Sequence, residues 1–393
     1  MATPAANKWM NAEQALRVLG VQAQTLYANV SRGRIRAKPD PSDSRRSLYS
    51  GADVARLAER RRGRRSAAEV AAQAMGFGEA VLASGISTVA DGRLWYRGRD
   101  AVALAERATV EDVAGLLWQS ETLRLCDPVP LAAVRAEEAP LRRLLAAAAE
   151  RAAVDPPTPG RSIGALRGEA EGLLAALRQA ALNGKKPRAD LPTHARLAAA
   201  WRSPGAADIL RRALVLLADH ELNASTFAVR VAASTGASLS ACLLAGLATL
   251  TGPLHGGASR ALRLLCADAR HTGATKAVRE WLARGLPLPA FAHPLYPDGD
   301  PRAIALMGQF KLSGLLADVR AAGEELTGEL PNVDFALAAL TDVHRLPPHA
   351  PFVIFALSRS IGWIAHALEQ IANGGLIRPR ARYSGPALNR EPQ

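Results

Sequence analysis

The sequence predicts a mainly α-helical protein, and three observations carry that expectation. Alanine and leucine dominate the 393 residues, aromatic side chains make up only 5%, and β-branched runs are few, a composition that favours helix over strand. Apolar residues recur at helical spacing through most of the chain, and the pattern is broken by Gly/Pro clusters. The length permits two or three domains around a large buried core. The longest apolar segments, such as 241–250, are short for a bilayer span, and residues 1–8 lack the charged and apolar regions of a secretory leader. A cytoplasmic location without a membrane partner is therefore expected. Cys126, Cys242 and Cys266 are odd in number, far apart and set among apolar residues. They read as buried thiols, not disulfides or metal ligands.

The formal net charge is +13, and residues 1–65 carry +9 of it, with 14 Lys/Arg against 5 Asp/Glu. Attraction to a polyanion, if any, belongs to this segment. Asn11 is placed to cap a helix with Gln14 three residues on, and Ala15, Leu16, Val18 and Leu19 supply its buried side. Gly20 gives a tight turn, and residues 22–31 resume the helical pattern with Leu26 and Val30 inward. Residues 39–49 suggest a hairpin or wing with basic residues, and 53–62 return to helix. The segment resembles the winged helix-turn-helix of the MerR and excisionase groups, which implies DNA binding with the second helix in a major groove. Gln22, Gln24, Thr25 and Tyr27 are candidates for the outward face. Arg32, Arg34, Arg36, Arg45 and Arg46 are candidates for salt-dependent phosphate contacts. The alternative is a protein–protein module whose positive charge is a solvated face. Residues 60–65 read equally well as a solvated helix end and linker.

Residues 66–76 begin the second domain. Alternation over 81–91, with Asp91-Gly92 before Leu94-Trp95-Tyr96, marks a β-hairpin, and Arg97-Gly98 lies beyond it. From 101 to 217 amphipathic helices are expected, broken at Pro128/Pro130, 155–160, 184–192 and Pro204-Gly205. This stretch supplies scaffold.

The segment 219–259 is richer. It opens DHELNASTFAVR, continues through an apolar small-residue run and closes GPLHGGAS. A helical run that stops at a histidine flanked by Gly and Pro, here His255, suggests backbone brought close to a ligand. A lone histidine beside Gly-Gly would ordinarily cap a helix, and only company makes it chemical. That company follows downstream: His293 before Asp300-Pro301-Arg302, Asn332-Val333-Asp334-Phe335, and Arg359-Ser360-Ile361-Gly362-Trp363 before Arg378-Pro379-Arg380. Arg359 sits inside the apolar run 352–364, where a cation is costly without an anionic partner. His366 reads as structural, and His194, His271, His344 and His349 have no motif around them. No His, Cys and carboxylate set has metal-ligand spacing, and no phosphate-loop or dinucleotide fingerprint appears.

Together with Tyr96-Arg97-Gly98, these segments, in this order, resemble the citrate synthase family over roughly 78–386. The resemblance implies a helical dimer in which a large domain (66–257 and 346–393) carries a small domain (258–345), preceded here by the helix-turn-helix of 1–65. It implies condensation of acetyl-CoA with oxaloacetate, then thioester hydrolysis, with acyl-CoA as co-substrate and no bound cofactor. By that resemblance Asp334 is the base that deprotonates the thioester methyl, a very weak acid that also needs its developing enolate stabilised. His255 donates to the thioester oxygen; as a neutral imidazole near a helix N-terminus it suits the task. His293 polarises the ketone and protonates the alkoxide. Arg302 and Arg359 grip the oxaloacetate carboxylates, His220 adds a contact, and Arg378 is lent by the partner subunit of a homodimer. Closure is expected as a domain motion.

The chain departs from the family pattern at two places. After His293 come Pro294-Leu295-Tyr296-Pro297-Asp298-Gly299 where a basic residue near the CoA phosphates is usual, and Ser259-Arg260 follow Ala258. The acyl donor is thus open between acetyl-CoA and propionyl-CoA, the latter giving a 2-methylcitrate synthase. A DNA-binding regulator that senses metabolites without turnover is the rival from another class. Retention of His255, His293 and Asp334 argues against it, because a sensor needs the arginines but not the base.

Overall fold

The computed structural model describes residues 9–19, 23–31, 35–40, 43–55, 82–120, 123, 139–182, 185, 188, 190–381, 383 and 385–386. Gly20, Gln22, Arg32, Arg34, Cys126, Pro128, Pro130, the 60–65 run and the expected 65/66 boundary lie outside these residues. The chain divides into two compact units, Met1–Ala83 with Ala381–Gln393, and Ser84–Arg380.

The first unit contains β1 (Trp9–Met10), α1 (Ala12–Leu19), α2 (Ala23–Ser31), β2 (Ala37–Asp40) and β3 (Asp43–Ser50), with helix resuming at 51–55. Asn11 and Gln14 exchange side-chain and backbone hydrogen bonds at 2.9 and 3.1 Å, the reciprocal cap expected for α1. Ala12, Ala15, Leu16 and Leu19 form the inward stripe. Val18, expected inward, is 51% exposed, because it falls outside that i, i+3, i+4, i+7 set. Leu26, Ile35, Tyr49 and Val54 complete the small core. The strands pair antiparallel in the order β1-β3-β2. Asp53, buried, takes the backbone N–H of Arg36 at 3.1 Å and its Nε at 2.7 Å, tying the strand entry to the helix at 51–55.

The second unit opens with β4 (Ser87–Ala90), β5 (Arg93–Tyr96) and β6 (Arg99–Asp100), paired antiparallel in sequence order. Ala90 faces Arg93 across Asp91-Gly92, whose φ values of 51° and 69° are those of the two-residue hairpin turn that Asp-Gly favours. Arg97-Gly98, at 45° and 76°, makes a second such turn.

Helices follow: α3 (Ala101–Ala105), α4 (Val110–Trp118), α5 (Pro140–Val154), α6 (Ile163–Leu182), α7 (Thr193–Ala200), a 3-10 turn at Pro204–Ala206 and α8 (Ala207–Leu216). The expected breaks at 155–160 and Pro204-Gly205 coincide with element ends. The run 224–250 is two helices, α9 (Ala224–Ser234) and α10 (Leu239–Leu250), because Gly236 at φ 81° ends one and Ser238 caps the next. After α10 come α11 (Ala258–Thr272), α12 (Ala274–Ala283), α13 (Pro301–Met307), α14 (Leu315–Thr327), α15 (Val333–Val343) and α16 (Ala350–Asn373).

The main apolar core gathers side chains from β5, α3–α10, α13, α15 and α16. A second core joins Leu262, Leu265, Val278, Phe291, Val319 and Phe335. Cys242 and Cys266 are free and buried. The expected limit on apolar length fails once. α16 is long and apolar enough to cross a membrane, but 89% of its most apolar stretch is buried inside the protein, so its hydrophobicity serves packing.

Candidate active site

α16 is fastened along the C-terminal end of α8. Ser358 Oγ donates to Leu214 O, Arg359 Nε to Leu217 O at 3.0 Å, and Gly362 N to Ala218 O at 3.0 Å. Three nearby positions of one helix thus satisfy carbonyls that the end of another leaves open. The arrangement spends one nitrogen of Arg359 and leaves Nη1 buried without a hydrogen-bond partner. Burial lowers the Arg359 pKa to about 10, with Asp219 opposing, so the guanidinium stays charged at neutral pH. Its charge acts on His220, His255, His293 and Asp334 alike, which places all four around one buried cation.

Arg302, also buried, starts α13. Its Nε and Nη2 donate to Asp300 Oδ1 and Oδ2 at 2.9 and 2.8 Å. Asp300 in addition accepts Val333 N at 3.0 Å, so one carboxylate fixes Arg302 and the start of α15. Burial works against the Arg302 charge, but Asp300 outweighs it and the pKa is raised.

His220 and His293 meet edge to face with ring centres 4.9 Å apart. Tyr296 completes the cluster, its hydroxyl 2.9 Å from His220 Nε2. His293 Nδ1 accepts Leu295 N at 3.2 Å, so a neutral His293 carries its proton on Nε2. Burial, reinforced by Arg302, pushes its pKa down to about 4. His220 is held well below the ordinary value by burial and the charges of Arg302 and Arg359.

His255 lies two residues before Gly257, the cap of α11. A Cβ on Gly256 would stand 2.0 Å from Leu250 O and one on Gly257 2.2 Å from Pro253 O, so both glycines are required by close backbone approach. His255 Nε2 is 2.8 Å from Ser225 Oγ, and Trp363 Nε1 donates to the same oxygen at 3.2 Å. Burial, then Arg359, lowers the His255 pKa to about 4. Asp334 sits in the first turn of α15, its backbone N capped by Asn332 Oδ1 at 3.0 Å. Removal from water raises its carboxyl to about 6 despite Arg302. The chemistry on offer is a weakly acidic carboxylate, neutral imidazoles that donate or accept, and two buried cations for an anion.

Behind the cluster Asp219, wholly buried, accepts from Ser87 Oγ and from His366 Nε2, the latter at 3.2 Å. Arg230 Nη1, which can only donate, is 3.1 Å from His366 Nδ1, so that nitrogen accepts and Nε2–H goes to Asp219. Gly362 leaves the room: a Cβ there would meet Asp219 Oδ1 at 2.2 Å. Tyr96 adds a hydroxyl 3.1 Å from Leu216 O.

Sequence reasoning named His220, His255, His293, Arg302, Arg359 and Asp334. It assigned no role to Ser225, Tyr296, Asp300, Asn332 or Trp363, although each stands inside or beside a quoted segment. Arg378 has no hydrogen bond or ion pair to the cluster among the described residues; it lies exposed in the segment after α16. Among the helix-turn-helix candidates, Thr25 and Tyr27 are exposed on α2, and Arg46 is exposed on β3 beside Asp43. Gln24 and Arg45 belong to the same two elements.

Residues 131–380 match the family model described as "Citrate synthase, C-terminal domain". A curated relative, citrate synthase 2 of Bacillus subtilis, is 32% identical over 79% of this chain and 95% of its own length. A 2-methylcitrate synthase of Shewanella oneidensis is 38% identical over 44% of this chain and 49% of its own. Among solved structures, the citrate synthase of Thermoplasma acidophilum, a ternary complex with carboxymethyl coenzyme A and oxaloacetate, has TM-score 0.68 at 26% identity over 79% of this chain and 95% of that one. The citrate synthase of Thermotoga maritima has TM-score 0.65 at 25% identity, covering 81% and 98%. With the ordered motifs folded onto one buried cationic cluster and relatives matched almost end to end, the chain belongs to the citrate synthase family.

Proposed function

We propose that the protein condenses acetyl-CoA with oxaloacetate and hydrolyses the resulting thioester to citrate and CoA. The observation that carries this reading is the unpartnered, buried Nη1 of Arg359 within electrostatic reach of Asp334 and three neutral histidines. A buried cation with an open donor calls for an anionic ligand. The Thermoplasma acidophilum relative was solved with oxaloacetate and a CoA derivative, which supplies the substrate classes.

Asp334 takes a proton from the thioester methyl. His255 gives a hydrogen bond to the thioester oxygen as the enolate forms. Ser225 Oγ accepts from Trp363 and lies within hydrogen-bond distance of both Asn223 Oδ1, at 2.8 Å, and His255 Nε2; with its one proton turned from Asn223 to His255, the imidazole proton stands on Nδ1 for the substrate. The enol carbon attacks the ketone, and His293 Nε2–H protonates the new alkoxide. Arg302, Arg359 and His220 hold oxaloacetate, and water then cleaves the citryl thioester. We place the moving small domain at 258–345, the fixed part at 66–257 and 346–393, and Arg378 in the site of the partner subunit of a homodimer. Thiol release with purified protein, oxaloacetate and either acetyl- or propionyl-CoA tests the reaction and fixes the acyl donor. Asp334→Ala should lower it by about 10²–10⁴-fold while oxaloacetate still binds. No turnover with either donor, with oxaloacetate binding intact, overturns the enzyme reading.

For residues 1–65 the reading is a DNA-binding helix-turn-helix, supported by their share of the positive charge and by the exposed Thr25, Tyr27 and Arg46. Gln24, Arg32, Arg34 and Arg45 are the further contacts of this reading. Mobility shift on random DNA should weaken steeply with salt and vanish without residues 1–65; equal behaviour of the two proteins excludes it.

A further inference from the structure

Two alanines just before His293 have left-handed backbones, Ala290 at φ 66° and Ala292 at φ 53°. This region costs an L-residue other than Gly about 1–2 kcal/mol. The surrounding contacts show what holds them there. Phe291 bridges to Pro331, Asn332 N donates to Ala290 O at 2.9 Å, and Ala292 N donates to Leu330 O at 2.9 Å. The Phe291 ring is buried against Phe335, in space that Gly323 leaves open. The Asn332 side chain completes the bridge: Nδ2 donates to Ala292 O at 2.9 Å, the carbonyl of the peptide that leads into His293, and at 3.4 Å to Phe291 O. The other end of the same amide, Oδ1, caps α15 at Asp334 N. A single side chain thus spans from the backbone of the proposed acid to the backbone of the proposed base.

We propose that Asn332 is a positioning residue for His293: its amide N–H holds the left-handed Ala292 so that the imidazole stands against His220. The inference rests on the catalytic reading of His293. The two ends of the amide separate by mutation. Asn332→Ser keeps a capping oxygen for α15 and removes the donor to Ala292. Ala292 is exposed, so Ala292→Gly removes no packing and makes the left-handed conformation free of steric cost.

The test measures kcat and oxaloacetate KM for Asn332→Ser, for Asn332→Ser/Ala292→Gly and for His293→Gln. Asn332→Ser should lower kcat by about 10–100-fold, the scale of a small misplacement of a reacting group, with a much smaller change in KM because the arginines are untouched. Adding Ala292→Gly should recover about fivefold of that loss, since the glycine no longer needs the amide. A residue that only caps α15 would gain nothing from the glycine. An Asn332→Ser/Ala292→Gly protein no faster than Asn332→Ser, or an Asn332→Ser protein with wild-type kcat, overturns the proposal. Retained activity in His293→Gln would instead sink the catalytic reading beneath it. Asn332→Thr, which also keeps a capping oxygen, carries the same test if the serine variant does not fold.

Discussion

Asp334 owes its chemistry to two opposing influences. Removal from water raises its carboxyl to about 6, while Arg302 and Arg359 hold it from rising further. A base works in its ionised form, so activity is present above that value and lost as pH falls through it. The kcat/KM profile with oxaloacetate saturating should show an acid limb near pH 6; a limb at about 4, the ordinary carboxylate value, contradicts the role. His255 and His293, pushed to about 4, stay neutral across the same range. At this scale the sequence was informative where a residue type was costly: Arg359 in an apolar run announced a ligand. It was silent on Ser225 and Asn332, because an ordinary serine and an ordinary helix cap gain a function only from a neighbour 30 or 40 positions away in the chain.

Among the elements, α16 carries the heaviest constraint. Its Gly362 is packed so closely that a methyl group would stand 2.2 Å from Asp219 Oδ1 and 2.4 Å from Ala218 O. Gly362→Ala should therefore destabilise the protein by about 1–3 kcal/mol or more, read by urea unfolding, because helix propensity favours alanine and only overpacking opposes it. An unchanged midpoint would mean that α8 and α16 are less tightly joined than the backbone bond Gly362 N to Ala218 O implies. Element starts and ends were legible where a cap or turn residue marks them, as at Asn11 and Asp91-Gly92. The split between α9 and α10 was not, since the apolar small-residue pattern runs through it and only the positive φ of Gly236 and the Ser238 cap break the helix.

For the whole molecule, the question is which residues a site borrows. Arg378 is exposed in the single chain, and it acts across subunits in the proposed dimer. Mixing Arg378→Ala with Asp334→Ala chains should then restore about a quarter of wild-type activity, because about half the dimers are mixed and each has one intact site. No recovery from two inactive variants would mean that Arg378 does not act across subunits. The sequence by itself determined the helical class, the hairpin, the order of the motifs and the family, since these depend on local periodicity, turn chemistry and residue identity along the chain. Tertiary structure alone decided that the Arg359 guanidinium keeps an open donor, that Asp300 clamps Arg302, that His366 accepts from Arg230, and that Asn332 reaches Ala292. Those outcomes depend on burial and on hydrogen-bond partners brought together by folding, and spacing along a chain does not specify either.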